Sequence, residues 1–156
     1  MTNKELSRQI FDEIYSKGHL DRIKDTHDEH CRLRDPSRDT VLEGPEATRA
    51  YVSWLRRGFP DFTINVERQI EEEDLVATQM VCQGTHKAEF MNIQPTNRKV
   101  HVRCTVVQRF RNNKVVEADV MWDVLGLLYQ LGLKPAEEIH EELAAAAREQ
   151  PATRPM

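Results

Sequence analysis

Between Val100 and Gly132 the chain reads VHVRCTVVQRFRNNKVVEADVMWDVLGLLYQLG. Alternation in this stretch constrains the fold more than any other feature. Val100, Val102, Cys104, Val106 and Phe110 fall on one face of a strand, and His101, Arg103, Thr105 and Arg109 on the other. Asn112-Asn113 supplies a tight turn, since asparagine tolerates the left-handed backbone that a two-residue hairpin needs. On the returning strand Val116, Ala118, Val120 and Trp122 share a face, opposite Glu117, Asp119 and Met121. Asp123 then stands where a helix cap is needed, ahead of Val124, Leu127, Leu128 and Leu131, and Gly132 closes that helix.

Helical signals dominate the N-terminal third. Leu6, Ile10 and Ile14, with Phe11 beside them, predict a helix over 4–17 that Gly18 stops. A shorter helical piece is expected around Asp21–Asp28, with Leu20, Ile23 and His27 on one side, and His30–Asp35 reads as a brief strand ended by Pro36. Pro45 opens a second main helix, closed by Gly58, whose apolar side carries Ala47, Ala50, Tyr51, Trp54 and Leu55. Strands follow: one through Phe62, Ile64 and Val66, a turn at the acidic run Glu71–Asp74, and a second over Leu75–Thr85. Residues 87–99 form a loop whose Phe90, Met91, Ile93 and Pro95 are apolar enough to fold over something. Pro135 starts an alanine- and glutamate-rich helix. Helices first and long antiparallel strands afterwards give an α+β class, with one domain over 1–148 and a frayed tail over 149–156.

The charge balance sets aside two classes of partner. A formal net charge of −4 and a pI near 5.9 lack the basic field that non-specific nucleic-acid binding requires. No apolar run is long enough to span a membrane. The polar start MTNKELSRQ lacks a secretion signal's apolar centre, and Cys31, Cys82 and Cys104 are odd in number and far apart. Together these point to buried free thiols in a reducing cytoplasm. His27 and His30 sit in HDEH without a convincing third ligand, so no metal is expected.

Four stretches carry a resemblance: IYSKGHLD (14–21), GPEATRAYVSWLRRGFPD (44–61), GTHKAEFMNIQPTNRKV (84–100) and QRFRNNKVVEADVMWDVLGLLYQLG (108–132). In order and spacing they resemble the SnoaL-like polyketide cyclases, a branch of the nuclear-transport-factor-2-like fold. The resemblance implies N-terminal helices packed on a strongly curved, mostly antiparallel sheet that forms an open cone, an α+β barrel. It also implies a homodimer paired through the convex sheet face, and cofactor-independent ring closure on a hydrophobic polyketide-like substrate. In that family an aspartate near the end of the last strand serves as acid–base. The family's pattern at that place, laid on Val116–Asp123, puts Ala118 at the inward histidine and Val120 at the catalytic aspartate. A helix asparagine falls on Tyr51, a strand aspartate on Val106 and a strand histidine on Arg34, while Tyr15 and His86 match outright.

A carboxylate replaced by valine cannot move a proton. The candidate catalytic groups are therefore Asp119, His86, Tyr51 and Tyr15, with Trp54, Phe90, Met91, Val106, Ala118, Val120 and Trp122 expected against the substrate. Asp119 points away from Ala118 and Val120 on an ideal strand; a bulge near Ala118 would turn it inward, beside apolar walls that raise a carboxyl's pKa. Its alternative is a surface carboxylate pairing with Arg109. His86 is either a proton donor or acceptor at the cone's mouth or a residue that fixes the following loop. Tyr15 and Tyr51 either orient a carbonyl or belong to the core. Three function classes follow: a cyclising or isomerising enzyme, a non-catalytic binding or assembly module with a stripped site, and an epoxide-opening enzyme, the last lacking a carboxylate pair.

Overall fold

A computed structural model describes residues 1–149, with the side chains of 134–140 outside the description. The expected tail over 149–156 thus lies almost wholly outside the described residues.

Thr2 opens the first helix, α1 (Asn3–Ile10), by a reciprocal cap in which its hydroxyl accepts from Glu5 N–H and the Glu5 carboxylate accepts from Thr2 N–H. The expected single helix over 4–17 instead changes pitch: Phe11–Ser16 is wound as a π-helix. Phe11, Ile14 and Tyr15 of this segment are all buried in the core. Gly18, at φ +76°, ends it. A 3₁₀ turn (Leu20–Arg22) and a single turn α2 (Ile23–Thr26) lead into β1 (His27–Arg34). The strand therefore starts three residues earlier than the alternation suggested, and His27 belongs to it rather than to a helix. After β2 (Leu42–Glu43) comes α3 (Gly44–Gly58), then β3 (Thr63–Glu72), β4 (Leu75–Thr85), β5 (Lys99–Arg111) and β6 (Lys114–Trp122). Helices α4 (Val124–Gln130) and α5 (Lys134–Glu149) finish the described chain.

Six strands form one curved, unclosed sheet in the order β2-β1-β6-β5-β4-β3. Only β1 and β6 run parallel; the other neighbours are antiparallel. Asn112 and Asn113, at φ 52° and 61°, make the tight β5–β6 turn. One register shift in this hairpin matters for the site. Arg109 faces Glu117 but Phe110 faces Val115, so Val116 is the extra residue. Val115 is buried as a result, and Ala118 and Val120 keep the inward face. Helix α1, the π-helix and α3 fill the hollow of the sheet through Leu6, Ile10, Phe11, Ile14, Tyr15, Tyr51 and Val52. A polar knot is buried with them: the Ser7 hydroxyl donates to Gln108 at 2.5 Å and lies 3.4 Å from Thr78 Oγ1. The Ser7 and Thr78 hydroxyls both find partners, which is the condition for burying them.

His27 is also buried, with Nδ1 2.9 Å from Thr26 Oγ1, and burial pulls its pKa down to about 4. The folded protein thus keeps the ring neutral, whereas the unfolded chain binds a proton below about 6.5. Stability is full above that pH and is lost as pH falls toward the folded value. Between pH 8 and pH 5 this one group should remove about 2 kcal/mol. Urea unfolding of wild type and His27→Gln at the two pH values checks it; an identical pH slope in both proteins would exclude His27 as the cause.

Candidate active site

The hollow of the sheet contains a cavity walled by residues from every layer: Phe11 and Tyr15 from the π-helix, Tyr51 and Leu55 from α3, Met80 and Cys82 from β4, Val102, Cys104 and Val106 from β5, and Val120 and Trp122 from β6. Phe90 enters from the loop after β4. The wall is almost entirely apolar. The space that a water's centre can visit is about 80 Å³, several times the roughly 10–15 Å³ that one water needs.

Of the expected residues, Tyr15, Tyr51, Phe90, Val106, Val120 and Trp122 reach this wall. Trp54 does not; it stands behind Phe90, stacked on it at 4.3 Å. Met91 and Ala118 are packed against or within the core without bordering the space. Asp119, named as a candidate acid–base, does not reach the wall. The only bulge of β6 lies at Val116, upstream of Ala118, so alternation holds from Ala118 to Val120 and Asp119 points to the outer face, exposed. Its inward orientation is therefore corrected. Nor does Asp119 pair with Arg109, which bonds Asp74 at 2.8 Å and Glu117 at 3.5 Å.

His86 is fully buried but does not border the cavity. Its Nδ1 accepts the Thr96 backbone N–H at 3.2 Å, and its backbone exchanges hydrogen bonds with Arg98 and Asn97. These bonds fix the loop that carries Phe90. With Nδ1 accepting, Nε2 is the ring's donor, and it finds no partner among the described residues.

The polar chemistry of the cavity gathers at one place. Asp35, directly after β1, is 4% exposed. Its Oδ2 accepts from the Tyr51 hydroxyl at 2.5 Å and from Trp122 Nε1–H at 3.0 Å. Its Oδ1 accepts from Ser37 N–H at 2.7 Å and from the Ser37 hydroxyl. Asp35 itself lies behind the wall and borders, on its far side, an outer recess shared with Arg34, Arg38, Asp39 and Asp119. Burial, and after it the charge of Asp35, pushes the Tyr51 phenol well above its ordinary value, so it holds its proton at neutral pH. Burial likewise raises Tyr15, whose hydroxyl takes no hydrogen bond from the described residues. The Cys82 thiol is pushed up by its hydrogen bond with Cys104 and by burial, which keeps it from acting as a thiolate nucleophile.

Sequence reasoning missed Asp35. The local signal was present: an aspartate followed two residues later by serine, after a proline, is the pattern of a side chain that caps its own turn. Its partners Tyr51 and Trp122 lie 16 and 87 residues away, and nothing local announces them.

A family model described as SnoaL-like polyketide cyclase matches residues 5–131. Among solved structures, the chain is similar to a protein from Jannaschia sp. CCS1 assigned to the SnoaL-like polyketide cyclases, at TM-score 0.77 and 25% identity over 83% of this chain and 90% of that one. It is similar to IdmH of Streptomyces antibioticus, assigned as a polyketide cyclase, at TM-score 0.74 and 25% identity over 85% and 100% of the two chains. AclR of Streptomyces galilaeus, assigned as a hydroxylase, matches at TM-score 0.73 and 25% identity over 83% and 95%. No curated protein matches the chain.

Asp35→Asn would set an amide N–H₂ among donors, and should cost about 2 kcal/mol or more because buried donors are left unpaired. Asp119→Asn should stay within about 0.5 kcal/mol. Denaturant midpoints of the two variants make the comparison, and equal effects would contradict the placement of both carboxylates.

Proposed function

The chain belongs to the SnoaL-like polyketide cyclase family, and from that membership we propose that it cyclises or isomerises a small hydrophobic ketone or ester of polyketide type by proton transfer in this cavity, without a cofactor. The observation that carries the reading is the Tyr51–Asp35 pair, a phenol on the wall of an apolar slot hydrogen-bonded to a buried carboxylate. Tyr51 Oη accepts a proton from the carbon beside the substrate carbonyl while its own proton passes to Asp35 Oδ2. The C–H electron pair becomes an enolate, whose oxygen takes a hydrogen bond from the Tyr15 hydroxyl. In cyclisation the enolate carbon bonds to a second carbonyl carbon, and the resulting alkoxide recovers the proton from Asp35 through Tyr51. In isomerisation the proton returns to a different carbon. The raised pKa of Tyr51 favours this relay over a resting phenolate. The dry wall strengthens each hydrogen bond made to developing charge. Trp122 and Ser37 orient Asp35, and the outer recess offers its proton a way to exchange with solvent.

Asp119 has no part in this relay, and His86 acts on the loop rather than on the substrate. Epoxide opening needs an acid to protonate the ring oxygen and a placed nucleophile or base, and no carboxylate lines the cavity among the described residues to serve as either. That same observation favours a second reading, a binding module that holds a hydrophobic ligand without converting it. Turnover of a panel of aryl and polyketide-like ketones separates the two. Tyr51→Phe should lower kcat by about 100-fold or more with KM little changed, and Asp119→Asn should leave both intact. Full turnover by Tyr51→Phe would overturn the relay. Tight binding with no product by wild type across the panel would select the binding module.

We also propose that two copies meet through the outer sheet face, where Val107 and Met121 are exposed apolar residues among Arg103 and Glu117. Sedimentation should give a dimer, and Met121→Glu a monomer; a wild-type monomer across a wide concentration range would contradict it.

A further inference from the structure

Phe90 is a loop residue with the burial of a core residue, 2% exposed. It begins a four-residue turn in which Phe90 N–H donates to Ile93 O at 3.1 Å and Ile93 N–H to Phe90 O at 2.9 Å. The two residues between, Met91 and Asn92, have φ of 51° and 62°, the signature of a tight hairpin turn. Asparagine suits that backbone and methionine seldom adopts it, so the conformation is held by its surroundings. Those surroundings are the bonds of His86 to Thr96, Arg98 and Asn97, and the bonds of Lys87 and Ala88 N–H to Gly58 O.

The turn drives the Phe90 ring between three partners. It stacks on Trp54 with ring centres 4.3 Å apart and meets Phe59 edge-on at 5.1 Å. Beneath it lies Gly58, where a Cβ would stand 2.8 Å from Phe90 Cδ2. A glycine at the end of α3 is thus required for the ring to seat. Phe90 faces the cavity on its other side, and it is what separates Trp54 from the space. A flat aromatic slot with a bare floor is therefore filled by the protein's own side chain.

We propose that the slot formed by Trp54, Phe59 and Gly58 is a subsite for a planar ring, and that Phe90 occupies it and sets the length of ligand the cavity accepts. This rests on the reading of the cavity as a small-molecule site and adds its specificity-determining residue. Geometry matches the class: offset stacking at this separation is what a fused aromatic or enolised polyketide ring would make with an indole. With the side chain removed, Trp54 becomes part of the wall and the cavity lengthens by about one ring.

The test is a series of methyl ketones carrying one, two or three fused aromatic rings, titrated into wild type, Phe90→Ala and Phe90→Leu. Binding is read by quenching of the tryptophan fluorescence, since Trp54 and Trp122 are the chain's 2 tryptophans. Melting curves show that each variant is folded, and Phe90→Leu guards against collapse of the alanine variant. Wild type should prefer the one-ring ketone over the two-ring ketone, and both variants should gain about tenfold or more for the two-ring ketone relative to wild type. An unchanged ratio of one-ring to two-ring affinity in all three proteins would overturn the proposal, even with turnover intact. Binding with the predicted shift but no turnover would instead overturn the proton-transfer reading and leave the subsite standing. Absence of binding by every ketone to all three proteins would overturn both.

Discussion

A carboxylate can be buried only where donors replace the water it loses. Asp35 meets that condition through Ser37, Tyr51 and Trp122. Those donors come from the loop after β1, from the middle of α3 and from the end of β6, so one side chain ties the parallel strand pair to the helix that covers it. The same bonds aim a phenol and an indole at the cavity. Loss of the geometry on one side would unpair donors on the other.

Around that corner the wall has been emptied of competing charge. Val106 and Val120 stand at positions where the family resemblance places carboxylates, and both line the slot. Ala118 stands at the family's histidine, buried just outside it. An apolar wall does two things at once. It strengthens hydrogen bonds to any charge that develops on a ligand, and it leaves Tyr51 and Tyr15 as the wall's hydroxyl groups. The resemblance implies direct carboxylate chemistry; the arrangement here is one in which the acid stands behind a phenol.

Alternation along β4, β5 and β6 is a local property, and the sheet, its hairpin and the Asp123 cap were legible in it. The changes of pitch were not. The π-helix at Phe11–Ser16 leaves the apolar pattern of the helix intact, and the extra residue at Val116 shifts which side chains face inward without altering that pattern enough to announce it. Asp119 shows the cost of that ambiguity, since its orientation depended on where the bulge fell. Asp35 shows the opposite case: its neighbours in sequence are compatible with a turn, whereas its two distant donors reach it through the pairing of β1 with β6 and the packing of α3 over them. Phe90 and Met91 looked alike in the sequence as apolar loop residues, and a single turn sends one into the core and leaves the other at its edge.

Proton transfer to and from carbon can be observed without knowing the ring that forms. A bound aryl ketone, incubated with the protein in D₂O and followed by NMR, should exchange the hydrogens beside its carbonyl for deuterium far faster than in buffer alone. That exchange should fall to the buffer rate in Asp35→Asn while binding persists. Saturated binding to the wild type with exchange no faster than in buffer would contradict the account.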